Sequence, residues 1–321
     1  MVDMRILLQF PEGLKQKALE IAKKYESDGH EVFLSASACY GACDISLDEA
    51  RWVKADKIIH FGHSRFVKAD LPIPVEYVEY HVEMDVEGLS AALPLLEGKK
   101  TIALATTIQH VKQLPDMKRF LEKNKKTVLI GKGLRSTEPG QVLGCDSIAI
   151  SSVATKADAI LFVGNGMFHA LAIDAEVLER KEMPVIVYDP YSKKARDIRK
   201  DIEMLRKKRR GAILKALSCK RFGIMVSTKT GQFALAQAIK IKKDLVKRGF
   251  EAEILVANEL EPLSVNNFMV FDCYINTACP RMSDDTEEFG KPVLNPQMLE
   301  ELFKIIDSGS LSTCQSRGQS D

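Results

Sequence analysis

Residues 158–166 read Asp-Ala-Ile-Leu-Phe-Val-Gly-Asn-Gly, and the way this stretch folds decides the fold of the chain. From Ala159 to Val163 every side chain is apolar, without the alternation of a strand that has one face in water. Such a run predicts a strand buried on both faces, the habit of parallel sheets covered by helices. Gly164-Asn165-Gly166 then stops it in a turn. Moving outward, ILLQF, VFLSA, KIIHF, TIALA, TVLIG, VIVYD, FGIMV, EILVA and FMVFD have the same character, and amphipathic helical stretches separate them. The strands are therefore expected to be parallel and fully buried.

The pattern occurs three times in one order, strand, helix, strand, a helix in places, strand, helix, then a strand entered through Pro-Val. Pro74-Val75, Pro184-Val185 and Pro292-Val293 mark the last strand of each turn of the repeat. With right-handed crossovers each unit is a small doubly wound sheet. The expected class is α/β, three repeated doubly wound parallel-sheet units arranged around a central metal cluster. The expected boundaries are 1–98, 99–218 and 219–306, with a disordered polar tail over 307–321. The first helix is expected near Leu14–Ser27, a long basic helix over Ala195–Cys219, and the third unit's first helix over Gln232–Arg248.

Composition narrows the class. The chain has 321 residues, 45% hydrophobic and 28% charged, with a formal net charge of +2, so no global attraction to a polyanion follows. The basic run Arg206–Arg210 reads as a solvated helix face, and no direct nucleic-acid partner is expected. No apolar run reaches membrane-spanning length, and MRILLQF enters a strand without a signal-peptide layout. A cytoplasmic protein with no membrane partner is expected.

Cys39, Cys43, Cys145, Cys219, Cys273, Cys279 and Cys314 are widely spaced and odd in number. In a reducing compartment metal or redox use outweighs disulfides. The pair in CYGACDIS has neither CxxC spacing nor a second pair nearby. Ligands of open parallel sheets bind outside the carboxyl ends of the strands. Cys43 follows the second strand of the first unit, Cys145 the second strand of the second, and Cys279 the third strand of the third. Units facing one another would bring these thiols together with no local motif. Three thiolates suit zinc, with His60, His63 or His169 as a fourth ligand, or a four-iron, four-sulfide cluster with one iron left open.

LQFPEGL, YGACDIS, GQVLGCDS, STKTGQ, NTACPRMSDD and KPVLNP, in this order from Leu8 to Pro296, resemble the diphthamide synthase radical-enzyme family, in its archaeal homodimeric form. The resemblance implies that Cys43, Cys145 and Cys279 hold a 4Fe-4S cluster and act through it. It implies reductive cleavage of the Cγ–S bond of S-adenosylmethionine and transfer of the 3-amino-3-carboxypropyl group to a histidine of translation elongation factor 2. An external electron donor is implied too. Such a cluster must be strongly reducing, and the bond that breaks depends on which carbon is held beside it.

Other residues are expected to bind the co-substrate. Thr230, Gly231 and Gln232 lie between a strand and a helix and are expected to hold the methionine carboxylate. Gly164 and His63 are expected to shape the adenosine pocket. Arg281, two residues after the third ligand, is expected to bind a carboxylate or raise the cluster potential. Cys39 is an alternative to Cys43 or its buried neighbour, Cys273 is core, and Cys219 and Cys314 have no assigned role. A quinolinate-synthase-like enzyme with a Lewis-acid cluster, a non-catalytic electron-transfer or scaffold subunit, and a structural zinc protein are the competing readings.

Overall fold

A computed structural model describes residues 3–173, 183–284 and 287–308. They form three four- or five-stranded sheets. The first contains β1 (Arg5–Gln9), β2 (Glu31–Leu34), β3 (Lys57–Phe61) and β4 (Val75–Val78), in the order β2-β1-β3-β4. The second contains β5 (Thr101–Thr106), β6 (Thr127–Leu129), β7 (Ala159–Val163), β8 (Val185–Asp189) and β9 (Lys194–Asp197), in the order β6-β5-β7-β8-β9. The third contains β10 (Arg221–Ser227), β11 (Glu251–Ala257), β12 (Cys273–Asn276) and β13 (Val293–Leu294), in the order β11-β10-β12-β13. All pairs are parallel except β8 with β9. The three-unit parallel α/β expectation holds. The chain divides into two compact units, Met1–Ile202 with the first two sheets and Glu203–Asp321 with the third.

Ala159–Val163 form β7, which is buried along its whole length. Its even and odd residues enter two separate cores. Leu161 and Val163 pack with Ile102, Leu104, Met117 and Leu121 on one face. Ile160 and Phe162 pack with Ala103, Ala105, Ala149 and Ile150 on the other. Burying a Leu, Ile or Phe side chain contributes about 1.5–3 kcal/mol, so a strand clad on both faces is fixed by its own composition. The helices that clad the sheet include α3 (Leu114–Lys123) and α4 (Ile148–Ala154). The remaining α-helices described are α1 (Ala18–Ser27), α2 (Leu47–Trp52), α5 (Arg199–Ala216), α6 (Leu235–Val246), α7 (Pro262–Asn266) and α8 (Pro296–Asp307).

Full burial does not extend to β2, β4, β6, β9 and β11, which are partly exposed. β2 and β11 are edge strands, and β4 closes the opposite edge of the first sheet. Other departures are local. The chain enters α1 through a 3-10 helix, Glu12–Lys17. The long basic helix starts later than the charge pattern suggests, because Lys194–Asp197 pairs antiparallel with β8. Asp189 accepts from the Tyr191 N–H at 2.9 Å and from the Ser192 hydroxyl at 3.0 Å, which reverses the chain after β8. Asp197 Oδ1 then accepts from the Arg199 N–H at 3.0 Å and starts α5 there. α6 starts at Leu235, because a turn in which Gln232 N–H donates to Lys229 O at 2.9 Å intervenes. Of the expected tail, Asp307 is the last residue of α8; residues 309–321, Cys314 among them, lie outside the described residues.

Candidate metal and cofactor site

Each of the three candidate thiols sits in a loop beyond the carboxyl end of a strand, and a buried amide side chain braces each loop. Gln9, the last residue of β1, is 1% exposed. Its Nε2 donates to Asp44 O at 2.7 Å, and its Oε1 accepts from the Ser46 N–H at 3.1 Å. These bonds hold the loop that carries Cys43, which is partly buried. Tyr77 on β4 is the aromatic neighbour of this thiol; burial pushes its phenol up, and the Cys43 charge adds to the shift.

Cys145 is exposed, at the tip of a turn closed by Leu143 N–H to Asp146 O at 2.9 Å and Asp146 N–H to Leu143 O at 3.1 Å. Asp146 accepts from the Arg135 N–H at 2.6 Å and from the Ile148 N–H at 3.0 Å, tying the turn to the start of α4. Gln141 is the amide here. Its Oε1 accepts from the N–H groups of Thr137 at 3.1 Å and Glu138 at 3.2 Å. Its Nε2 donates to Ser64 Oγ at 2.9 Å, in the loop after β3. The Arg135 guanidinium over the Phe66 ring, 5.6 Å from its centroid, is a second link between these two loops.

Cys279 lies between β12 and a 3-10 helix, Pro280–Asp284. Asn276 Nδ2 donates to Cys279 O at 2.7 Å and to Asn295 Oδ1 at 3.0 Å, while Asn295 Nδ2 donates to Pro280 O at 2.7 Å. Burial pushes the Cys279 thiol up; backbone bonds from Arg281 and Met282 and the Arg281 charge work against that. Arg281 is itself buried, its guanidinium paired with Asp284 at 2.9 Å. Asp284 also pairs with Arg209 of α5 at 2.8 Å.

The other expected residues fall in the same kinds of place. Thr230, Gly231 and Gln232 occupy the turn after β10. Within that turn Lys229 is 5% exposed, and its ammonium pairs with Glu259 at 2.7 Å. Thr277 Oγ1 donates to Met225 O at 2.8 Å, which fixes the start of the Cys279 loop to β10. Gly164 is buried where β7 ends, with its N–H on Tyr188 O at 3.0 Å; a Cβ there would meet the Phe162 ring at 3.0 Å.

His63 stands in an imidazole pair. His60 Nε2 and His63 Nδ1 are 2.9 Å apart, and His60 Nδ1 is 3.0 Å from Gln9 Oε1. Burial, with His63 adding to it, pushes His60 down to about 3; burial pushes His63 down to about 4, against a bond to the Phe61 backbone. Both rings are neutral at pH 7. Cys39, 4% exposed, brings its sulfur to within 4.8 Å of ring nitrogens of both.

Residues 10–310 match the diphthamide synthesis protein family. The chain belongs to that family. It is 40% identical over 306 residues to the 2-(3-amino-3-carboxypropyl)histidine synthase of Pyrococcus horikoshii, covering 94% of this chain and 86% of the relative. It is 29% identical to subunit 1 of the Caenorhabditis elegans 2-(3-amino-3-carboxypropyl)histidine synthase, over 91% of this chain and 74% of that one. The fold agrees with a crystal structure of Dph2 from Pyrococcus horikoshii with a 4Fe-4S cluster, at a TM-score of 0.84 and 38% identity, over 94% of this chain and 87% of that one. The two sequence relatives are 2-(3-amino-3-carboxypropyl)histidine synthases by name, and a 4Fe-4S cluster accompanies the fold in the Dph2 crystal structure.

The amides are what sequence reasoning passed over in this diphthamide-family fold. Gln9, Gln141, Asn276 and Asn295 stand inside the motifs that carry the resemblance, yet nothing in their spacing marks them as braces. Lys229 likewise gained no role of its own from sequence, and Cys39, read there as an alternative to Cys43 or its buried neighbour, is buried.

Proposed function

We propose that this chain is a 3-amino-3-carboxypropyl transferase that performs the first step of diphthamide synthesis, on a histidine of translation elongation factor 2. The observation that carries the reading is the match along nearly the whole chain to named synthases, with a braced cysteine loop in each of the three sheets. The donor set fits an iron–sulfur cluster. Cys43, Cys145 and Cys279 offer soft thiolates, and at Cys279 backbone N–H groups point to the sulfur, as cluster sulfurs require. Cys43, Cys145 and Cys279 would hold a 4Fe-4S cluster, which would supply the electron for cleavage of the Cγ–S bond of S-adenosylmethionine.

The protein's own residues then position and shield. The turn Thr230-Gly231-Gln232, with the Lys229 ammonium behind it, binds the methionine carboxylate. Gly164 and His63 bound the adenosine. Arg281 has its charge matched by Asp284, so its part is to hold the Cys279 loop and set the local potential there. The working form is a cytoplasmic homodimer fed by an external reductant.

The test is the nucleoside product. The chain is purified without oxygen, reconstituted with iron and sulfide, and given dithionite and S-adenosylmethionine. Methylthioadenosine that depends on cluster and reductant is the expected product. Deoxyadenosine would overturn the placement of the methionine, and no cleavage with an intact cluster would move the reading to Lewis-acid chemistry or a non-catalytic subunit.

A further inference from the structure

Cys39, His60 and His63 are not needed to hold the proposed cluster, yet they form a compact set of nitrogen and sulfur donors within 4.8 Å of one another. The hydrogen bonds around them assign the ring protons. Gln9 gives its N–H to Asp44 O and accepts the Ser46 N–H, so its Oε1 faces His60 purely as an acceptor. His60 Nδ1 therefore carries its proton and points it at Gln9, 3.0 Å away. The lone pair of His60 Nε2 is left facing His63 Nδ1 at 2.9 Å, on the side where Cys39 lies. A ligating histidine whose other nitrogen donates to a fixed oxygen is the arrangement that orients imidazoles on metals.

We propose that Cys39, His60 and His63 bind one divalent zinc ion, at a site separate from the cluster thiolates and resting on the assignment of Cys43, not Cys39, to the cluster. Two imidazole nitrogens and one thiolate sulfur suit zinc, with Zn–N near 2.0–2.1 Å and Zn–S near 2.3 Å. Tetrahedral edges for such bonds are about 3.3–3.7 Å, so the two imidazoles part by a few tenths of an ångström as the ion enters. His63 moves its proton from Nδ1 to Nε2, Cys39 loses its thiol proton to solvent, and a water fills the fourth position. Binding thus releases one proton per ion. Neutral imidazoles need no deprotonation, and with His60 at 0% and Cys39 at 4% exposure the ion is shielded from competing solvent. Once bound, it ties the strand and loop of residues 57–64 to the CYGACDIS loop beside Gln9.

The experiment uses iron-loaded holoenzyme, so that cluster thiols are already occupied. It is dialysed without oxygen against zinc buffered by a weak chelator, and iron and zinc are measured together. The expected result is one zinc per chain beyond the iron, with X-ray absorption giving one sulfur and two nitrogen neighbours from protein. Cys39→Ala and His63→Ala should each weaken zinc binding by more than the roughly 10–100-fold that loss of an outer-shell partner costs, with iron content unchanged. His63 is only partly buried, so its variant keeps the test open should Cys39→Ala fail to fold. Three results would overturn the proposal: no zinc retained by the parent protein, zinc retained equally by both variants, or iron lost together with zinc. The last would place Cys39 and His63 on the cluster, and methylthioadenosine assayed on the iron-loaded parent protein separates that outcome from failure of the transferase reading.

Discussion

Gln141 and Ser64, in loops that join strands of two different sheets, meet through a 2.9 Å hydrogen bond between buried side chains. Ser64 directly follows His63, and Gln141 stands four residues before Cys145. The loop that shapes one candidate pocket is thereby fixed to the loop that presents a candidate ligand. Gln141 also accepts two backbone N–H groups, so its removal breaks the bond to buried Ser64 and both of these at once.

Gln141→Leu should destabilise the protein by about 1–3 kcal/mol, the cost of leaving the buried Ser64 hydroxyl without its partner. Urea unfolding followed by circular dichroism measures it. A midpoint unchanged from the parent would mean that water replaces the amide freely.

Cys145→Ala and Cys273→Ala make a contrasting pair. The first alters an exposed thiol at a turn tip, the second a thiol wholly buried among Phe222, Ile275 and Leu294. Cys145→Ala should fold normally and lose the brown chromophore with most of its iron. Cys273→Ala should keep its iron and lose about 1–2 kcal/mol of stability to a small cavity. The reverse iron contents would sink the ligand assignment.

Arg281→Met removes a charge that helps lower the Cys279 thiol. Without it the thiol rises further above its ordinary value, and less thiolate is present at pH 8. Iodoacetamide should label Cys279 of the iron-free protein more slowly in the variant, as read by peptide mass spectrometry. Equal labelling would show that pairing with Asp284 already cancels the charge at the sulfur.

His110 supplies a pH dependence. Burial pushes its imidazole below 6.5, against a bond in which Nδ1–H donates to Val82 O at 2.9 Å. The folded state keeps the ring neutral while the unfolded chain takes up a proton as the pH falls past 6.5. This stability is fully present above that value and is lost as the pH falls towards the folded value, with a slope of at most about 1.4 kcal/mol per pH unit. His110→Asn should flatten the stability profile between pH 6.5 and 5 by that amount, in urea titrations at each pH. A parallel profile would show that His110 titrates alike in both states.

The central strands were legible because their composition leaves one solution. Ala159–Val163 and Val185–Tyr188 have no polar residue to give to water, and both lie in sheet interiors. The antiparallel Lys194–Asp197 was not, since Lys, Ala, Arg and Asp suit a helix as well, and the Asp189 turn that directs them into the sheet is a matter of geometry. At the site the cysteine loops could be placed by their position after strands. Their supports could not: Gln9 braces residues 35–37 positions away, and a buried glutamine looks like a solvated one until its partners are in place. The pairing of His60 with His63 was hidden for the same reason, because the bare nitrogen that faces His63 depends on Gln9.

Every strand of each sheet comes from one uninterrupted stretch of chain, residues 5–78, 101–197 and 221–294. A ribosome adding about 5–20 residues per second completes them one after another. The Cys43 loop and its Gln9 brace therefore exist roughly 10–50 s before Cys279 has been synthesised. Any group that needs all three thiols must arrive after translation of the last sheet. Until then the nascent chain carries Cys43 and Cys145 without their cluster, so oxidants and stray metals have their best opportunity during synthesis.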